Sequence, residues 1–367
     1  MFFRTYKRKP RAAALCRAAA HKSHTVCRTV ETIYVHFFKK TTKREMKPFD
    51  PYRFMTAILL MLITAGCDDL IYDDLSECPQ GVHFRFYRQT PCEDSPFYPS
   101  EIRQIRLFAF DENNVLVEEY SVKNTQLSAD YLLTTPFNRM GTFTFVAWGG
   151  TDLASYQFSD YQVGSTTKEL MLLMLQREAD RITTQPGSLF YGVSEPLTIA
   201  DKSDMGSIFD QVSINMLELT NRVRFTIRGL SPGNNYSVVI TDDNGNYDFD
   251  GNFAPDSPFD YIRPLQRDGE VLKTDFTLMK LAEGGETHLT IANTTTGKVI
   301  YSVDLVDDII MYRGESGAPP YRLECDHDFN VIIVFEQVPD DPGEQETYMV
   351  MRVWVNDWNV ISREVKL

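Results

Sequence analysis

From residue 104 to residue 355 the chain keeps returning to one pattern, apolar and polar residues alternating with a period of two. In an extended strand successive side chains point to opposite faces, so such a run builds a sheet with one buried and one wetted face. The runs are rich in β-branched and aromatic residues: Gln104 to Phe110 (QIRLFAF), Thr142 to Trp148 (TFTFVAW), Arg222 to Arg228 (RVRFTIR) and Tyr236 to Ile240 (YSVVI). Thr287 to Ile291, Asn330 to Phe335 and Tyr348 to Val355 repeat it. Turn formers separate them, at Asp111-Glu112-Asn113-Asn114, Ser231-Pro232-Gly233-Asn234, Asn244-Gly245, Thr296-Gly297 and Asp340-Asp341-Pro342-Gly343. Alternating strands joined by short turns predict antiparallel β-sandwiches. Helical signal is thin. Thr167 to Glu178 (TKELMLLMLQRE) reads as either an amphipathic helix or a buried strand, and Leu305 to Tyr312 is a second short helical stretch.

Upstream of this region, Ile63-Thr64-Ala65-Gly66-Cys67 ends a short apolar run, Met55 to Ile63. Nine residues are too few to span a bilayer, which takes roughly 20. With Lys47 and Arg53 before them they fit a cleaved signal of the lipoprotein type, cut between Gly66 and Cys67, with Cys67 acylated. Thr64 stands where Leu is usual. Met46 is then the expected start. Residues 1–45 hold 12 Lys and Arg against Glu31 and Glu45 and show no apolar periodicity, so this basic leader is expected not to be part of the native protein. Cys16 and Cys27, with His21 and His24 between them, match no zinc-ligand spacing.

The whole chain carries −14; setting aside the leader (+10) and the signal at 46–66 (+1) leaves −25 for residues 67–367. A surface that acidic excludes nucleic acid as a partner and excludes electrostatic docking on anionic lipid, so attachment to a membrane falls to the lipid on Cys67. Each buried acyl CH2 contributes about 0.8 kcal/mol, and several chains hold essentially irreversibly. At roughly 150 residues per domain the 301 residues from 67 to 367 suggest two domains, 67–219 and 220–367, divided near Leu219-Thr220-Asn221. An exported chain sees an oxidising compartment. Cys78 and Cys92 flank the run Val82 to Tyr87, and two arrangements are open: a disulfide clamping its ends, or two unpaired cysteines with Cys325 as a small buried hydrophobe.

Catalytic and metal-binding patterns are missing from residues 67–367. There is no H-E-x-x-H, no G-x-S-x-G, no phosphate-cradling glycine loop and no C-x-x-C. His83 and His288 lie in strand-like runs. His327 sits in Cys325-Asp326-His327-Asp328 without a second ligand pair at metal spacing. In Asp242 to Gly251 the acids alternate as in a calcium loop, but the sixth residue is Tyr247 and not Gly; Asn244-Gly245 there predicts a type I′ hairpin. No metal, no cofactor and no enzymatic activity are expected.

Five segments carry a family likeness: Cys67 to Pro79 (CDDLIYDDLSECP), Ile102 to Val117 with its LFAFDEN core, and Met216 to Leu230 (MLELTNRVRFTIRGL). To these add Tyr236 to Gly251 and Val353 to Val360 (VWVNDWNV). In order and spacing they resemble the FimB-type fimbrial anchor lipoproteins of Bacteroidota, over nearly the whole of residues 67–367. The resemblance implies two transthyretin-like β-sandwich domains, outer-membrane surface display aided by Asp68 and Asp69, no catalysis, and fimbrial shaft subunits as partners. It further implies assembly by strand exchange, in which an added strand satisfies an open sheet edge. Val353, Trp354, Val355 and Trp358 mark a segment that either faces the partner or packs both Trp in the core. The alternative function is a surface lipoprotein that binds glycans through exposed aromatic residues, for which Trp148 and Trp358 would serve. A lipid-anchored glycosidase is a third reading, needing two carboxylates paired in a cleft.

Overall fold

The computed structural model describes residues 78–201, 206–313, 321–338, 347–356 and 358–362. The basic leader, the signal at 46–66, the cleavage site Gly66/Cys67 and Asp68 and Asp69 lie outside the described residues. In chain order the first strands are β1 (Gly81–Tyr87), β2 (Gln104–Phe110), β3 (Leu116–Lys123), β4 (Leu133–Pro136) and β5 (Gly141–Gly150). Then come β6 (Tyr156–Phe158), β7 (Leu172–Leu175), β8 (Arg181–Ile182), β9 (Leu189–Val193), β10 (Leu197–Ile199), β11 (Phe209–Asn215) and β12 (Leu217–Glu218). Beyond residue 219 follow β13 (Thr220–Arg228), β14 (Tyr236–Asp242), β15 (Asn246–Asp248), β16 (Phe253–Ala254), β17 (Phe259–Ile262) and β18 (Gln266–Asp268). The last are β19 (Val271–Met279), β20 (His288–Asn293), β21 (Lys298–Asp304), β22 (Asp328–Val338), β23 (Thr347–Val355) and β24 (Trp358–Ser362). The all-β sandwich architecture expected from the alternation is what the chain adopts.

The chain separates into two compact units. The smaller takes in residues 78–83, 134–140, 199–201 and 206–211, where β11, β1 and β4 pair in that order. There His83 stacks on Phe209 with ring centroids 4.6 Å apart and hydrogen-bonds Thr134 at 2.9 Å. The larger holds residues 84–133, 141–198 and the chain from 212 on.

Within the larger unit one sheet runs β12-β9-β5-β2-β3 and a second β18-β19-β13-β22-β23-β24. A third runs β21-β20-β14-β17-β8 and a fourth β16-β15-β7-β6. The reason is visible in β13: Val223, Phe225 and Ile227 are fully buried while Arg222, Arg224 and Arg228 alternate with them on the outer face. Burial on one face fixes register, since a one-residue slip would turn every apolar side chain outward. Two pairings are parallel, β13 with β22 and β8 with β17.

Position 219/220 is where the chain leaves the sheet of β9 and β12 and enters that of β13. The two series are nonetheless stitched together, because β7 pairs with β15 and β8 with β17. Over that seam lies an aromatic cluster. Trp148 is fully buried against Tyr191 (4.8 Å between ring centroids) and Phe249 (5.8 Å), and Phe249 also meets Phe108 at 5.1 Å. Such pairs add about 0.5–1.5 kcal/mol each beyond their burial. The Tyr191 hydroxyl donates to the Phe249 carbonyl at 3.1 Å, which ties the ring to the other series.

Three sequence expectations resolve here. In the stretch from Thr167, only Lys168–Leu170 makes a 3-10 turn, and Leu172–Leu175 is β7, the buried-strand reading. Leu305 to Tyr312 holds a short π-helix, Val306–Ile310, whose Val306, Ile309 and Ile310 are buried. The Asn244-Gly245 hairpin is not formed. Both sides of β14 are taken by β17 and β20, so the chain crosses at Asn244-Gly245 to another sheet. The hairpin falls one step later, between β15 and β16, and turns at Gly251 with φ 79°.

The Cys78–Cys92 bridge is also corrected: Cys92 is bonded to Cys325, with 6.0 Å between Cα atoms. The physical reason is valence: a cysteine sulfur makes one disulfide, and that of Cys92 is taken by Cys325. Cys78 is buried and disulfide-bonded outside that pair. Cys92 sits in a turn held by the Glu93 amide on the Thr90 carbonyl, 3.1 Å, and Cys325 in a turn where its amide donates to Arg322 at 2.8 Å.

Candidate functional site at the free edges of the C-terminal sheets

The segment singled out in sequence forms β23 and β24, an antiparallel hairpin at the end of the six-stranded sheet. Val355 pairs with Trp358, and Asn356, which follows Val355, adopts φ 49°. Asn tolerates that left-handed conformation better than most residues. The turn is pinned from β22: the Asn330 amide donates to Asn356 Oδ1 at 2.8 Å and the Asn356 amide to the Asn330 carbonyl at 2.8 Å. Tyr321 adds a hydrogen bond from its hydroxyl to the Val355 carbonyl at 2.6 Å.

The four residues do different things. Val353 and Val355 are fully buried on the inner face. Trp354, between them, turns outward and is half-buried. Trp358 is 38% exposed, on the inner-face side of β24 opposite Val355. The core-packing alternative is met by neither Trp: alternation carries Trp354 to the outer face, and Trp358, on the last described strand of the sheet, is exposed. β23 itself is held between β22 and β24, whereas among the described residues β24 carries a free edge.

Among the described residues a second free edge belongs to β21, the terminal strand of its sheet. Val299 there is 54% exposed, while Ile300, Tyr301 and Val303 rest on the core, Tyr301 against Phe335 with ring centroids 6.0 Å apart. An edge strand presents unpaired N–H and C=O groups, and apolar residues beside it offer pockets for an added strand. Sequence reasoning passed over β21, although Lys298-Val299-Ile300-Tyr301 after Thr296-Gly297 is a β-branched and aromatic run behind a turn.

Polar groups elsewhere are structural in kind. Arg222 grips Asp328 bidentately (Nε to Oδ1 2.9 Å, Nη2 to Oδ2 2.8 Å) and also pairs with buried Glu218. The guanidinium, hydrogen-bonded to it, holds the Asp328 carboxyl below its ordinary value. His327 is buried, neither ring nitrogen has a hydrogen-bond partner, and burial pushes its pKa down. His288 hydrogen-bonds Ser302 at 2.7 Å. A cleft of about 470 Å³ gathers Asp242, Asp243, Glu286 and Asp304. Burial pushes Asp242 up to about 6 against the Thr287 hydroxyl, which donates to it at 2.8 Å. Among the described residues no three His, Cys, Asp or Glu are grouped to hold a metal ion, and no helix is long and apolar enough to cross a membrane. Trp148, which closes an alternating run and reads from sequence as core more than as a glycan platform, is fully buried, the core reading.

A family model described as fimbrillin-A associated anchor proteins Mfa1 and Mfa2 matches residues 75–364. The minor fimbrium anchoring subunit Mfa2 of Porphyromonas gingivalis is 32% identical over 307 residues, covering 83% of this chain and 92% of that protein. The solved structure of the fimbrial anchor protein Mfa2 from Porphyromonas gingivalis superposes with a TM-score of 0.66 at 29% identity, over 78% of this chain and all of that one. A Bacteroides thetaiotaomicron structure, named for a suggested polysaccharide-binding role, superposes with a TM-score of 0.62 at 20% identity over 79% of this chain and all of that one, a likeness of fold. The two Porphyromonas gingivalis matches are fimbrial anchor proteins by name. With the family model spanning most of its length, this chain belongs to the fimbrillin-A associated anchor proteins.

Proposed function

We propose that residues 67–367 form a lipid-anchored outer-membrane subunit that roots a fimbria on the cell surface and so supports adhesion. Signal cleavage falls between Gly66 and Cys67, Cys67 carries the lipid, residues 1–45 are not part of the native protein, and 67–219 and 220–367 act as the two sandwich domains. The shaft subunits attach by strand exchange. Membership in the anchor family is the observation that carries this reading. The free edges of β21 and β24, with Val299 and Trp358 exposed beside them, supply a place for an added strand.

The test compares wild type with Cys67→Ala in a pull-down of tagged protein from outer-membrane preparations. A ladder of fimbrial subunits from wild-type membranes, with the variant and its fimbriae shed into the medium, is the expected result. Failure to recover any pilus subunit, together with binding to soluble polysaccharide, sinks the anchor role. A proline at Asn359, in β24, is expected to abolish subunit capture while leaving membrane attachment intact.

A further inference from the structure

The outward face of the six-stranded sheet differs from the rest of this acidic chain. Register places its side chains in rows across the strands. One row runs Arg228–Val334–Arg352 across β13, β22 and β23. The next runs Thr226–Ile332–Trp354–Asn359 and reaches β24. Ile332, Val334 and Trp354 are half-exposed and contiguous, and Arg228 and Arg352 are exposed on either side of Val334. The Arg352 guanidinium lies 6.0 Å from the Trp354 ring centroid.

The chain has 51 acidic residues to 37 basic, so an arginine ordinarily finds a carboxylate nearby. Further along β13 this happens: Arg222 and Arg224 both pair with Asp328, and Arg224 lies opposite Asp275 of β19. Among the described residues neither Arg228 nor Arg352 is within ion-pair distance of a carboxylate, although Glu336 is the next outward residue of β22. The backbones that carry these two arginines thus lie about 10 Å apart, one strand between them. An apolar centre with a charged rim, built of Trp and Arg, is the make-up of protein interfaces.

The geometry points to this face as a docking surface for an acidic protein segment, one that seats an apolar side chain on Ile332, Val334 and Trp354 and sets carboxylates against Arg228 and Arg352. Charge complementarity selects the partner, since Arg228 and Arg352, in no ion pair among the described residues, flank the apolar centre, while Lys273 in the neighbouring row is paired with Asp268. A glycan fits less well: Ile and Val offer no stacking plane, and Arg352 covers the ring of Trp354. The face meets the β24 edge at Asn359, but its apolar centre and both arginines lie on β13, β22 and β23, and the inference stands whether or not strand exchange occurs at that edge.

The test immobilises the intact protein and measures binding of a synthetic peptide alternating Glu or Asp with Leu and Phe. A Lys-substituted version, polygalacturonate and anionic vesicles serve as competitors. Wild type is expected to bind the acidic peptide and not the basic one, with affinity falling at least tenfold from low to high salt. The double variant R228E/R352E is expected to lose at least tenfold, and Arg181→Glu, an exposed charge elsewhere, to lose nothing. An unchanged thermal midpoint in R228E/R352E separates loss of the surface from loss of the fold. No binding of the acidic peptide by wild type, or equal binding by the double variant, overturns the proposal. Preferential binding of polygalacturonate, lost in the same variant, overturns it in favour of a glycan.

Discussion

Trp148 lies within the alternating run of β5 and Trp358 opens β24, yet one is at the centre of the molecule's aromatic seam and the other on a strand whose outer side, among the described residues, is unpaired. The difference is made by their strands. β5 is flanked by β2 and β9 and roofed by Tyr191 and Phe249, whereas β24 has a neighbour on one side alone. Aromatic residues in a strand are therefore interior or adhesive according to the place of that strand in its sheet. The seam binds the two strand series to each other, and the edge is left for something else.

Truncating Trp148 to Ala should have the largest effect, about 3–5 kcal/mol by urea unfolding, because it opens a cavity in the seam. A cost below 1 kcal/mol would mean that the seam does not hold the two series together. Replacing Cys92 with Ser should destabilise by about 2–4 kcal/mol, and Cys325→Ser by the same amount, since both break one bond. Arg222→Ala should cost about 2 kcal/mol, chiefly by leaving buried Glu218 unpaired. Trp358→Ala should cost under about 1 kcal/mol while reducing subunit capture, and a cost equal to that of Trp148→Ala would erase the contrast between seam and edge.

Acidity offers a subtler probe of the same interior. Asp242 has a folded pKa of about 6, raised above its unfolded value by burial, so its ionised form weakens the fold at neutral pH. Its contribution improves as pH falls through 6 and levels off below the unfolded value near 3.8. His327 acts in the opposite sense: its folded pKa is depressed, so the stability tied to its neutral form is lost as pH drops below 6.5. Asp242→Asn should therefore gain on wild type at pH 7.5 relative to pH 4.5, by about 1–2 kcal/mol, in parallel denaturation curves. A pH-independent difference would show that Asp242 titrates normally.

Much of the strand pattern was legible, because one-sided burial writes itself into sequence with a period of two. Gln104 to Phe110 is β2 to the residue, and the outward turn of Trp354 between Val353 and Val355 follows from the same alternation. Illegible features depend on distant partners. Asn244-Gly245 carries a strong local hairpin signal, but β14 already had a neighbour on each side. Likewise nothing near Cys92 points to a cysteine 233 residues away, nor does Arg222 announce Asp328. The edge at β24 was half visible: its residues could be named, but which strand ends a sheet is a property of topology.

The bond between Cys92 and Cys325 has a mechanical meaning. It joins the turn after β1 to the approach of β22, so that residues 93–324 hang as a closed ring beside a short covalent route. Stretched out, the 233-residue separation would amount to roughly 800 Å of slack at about 3.5 Å per residue. A tether fastened ahead of β1 and pulled at β22 cannot pay out any of that length while the sulfur bridge holds. The tension travels through two sulfur atoms, and the strands within the ring are spared it.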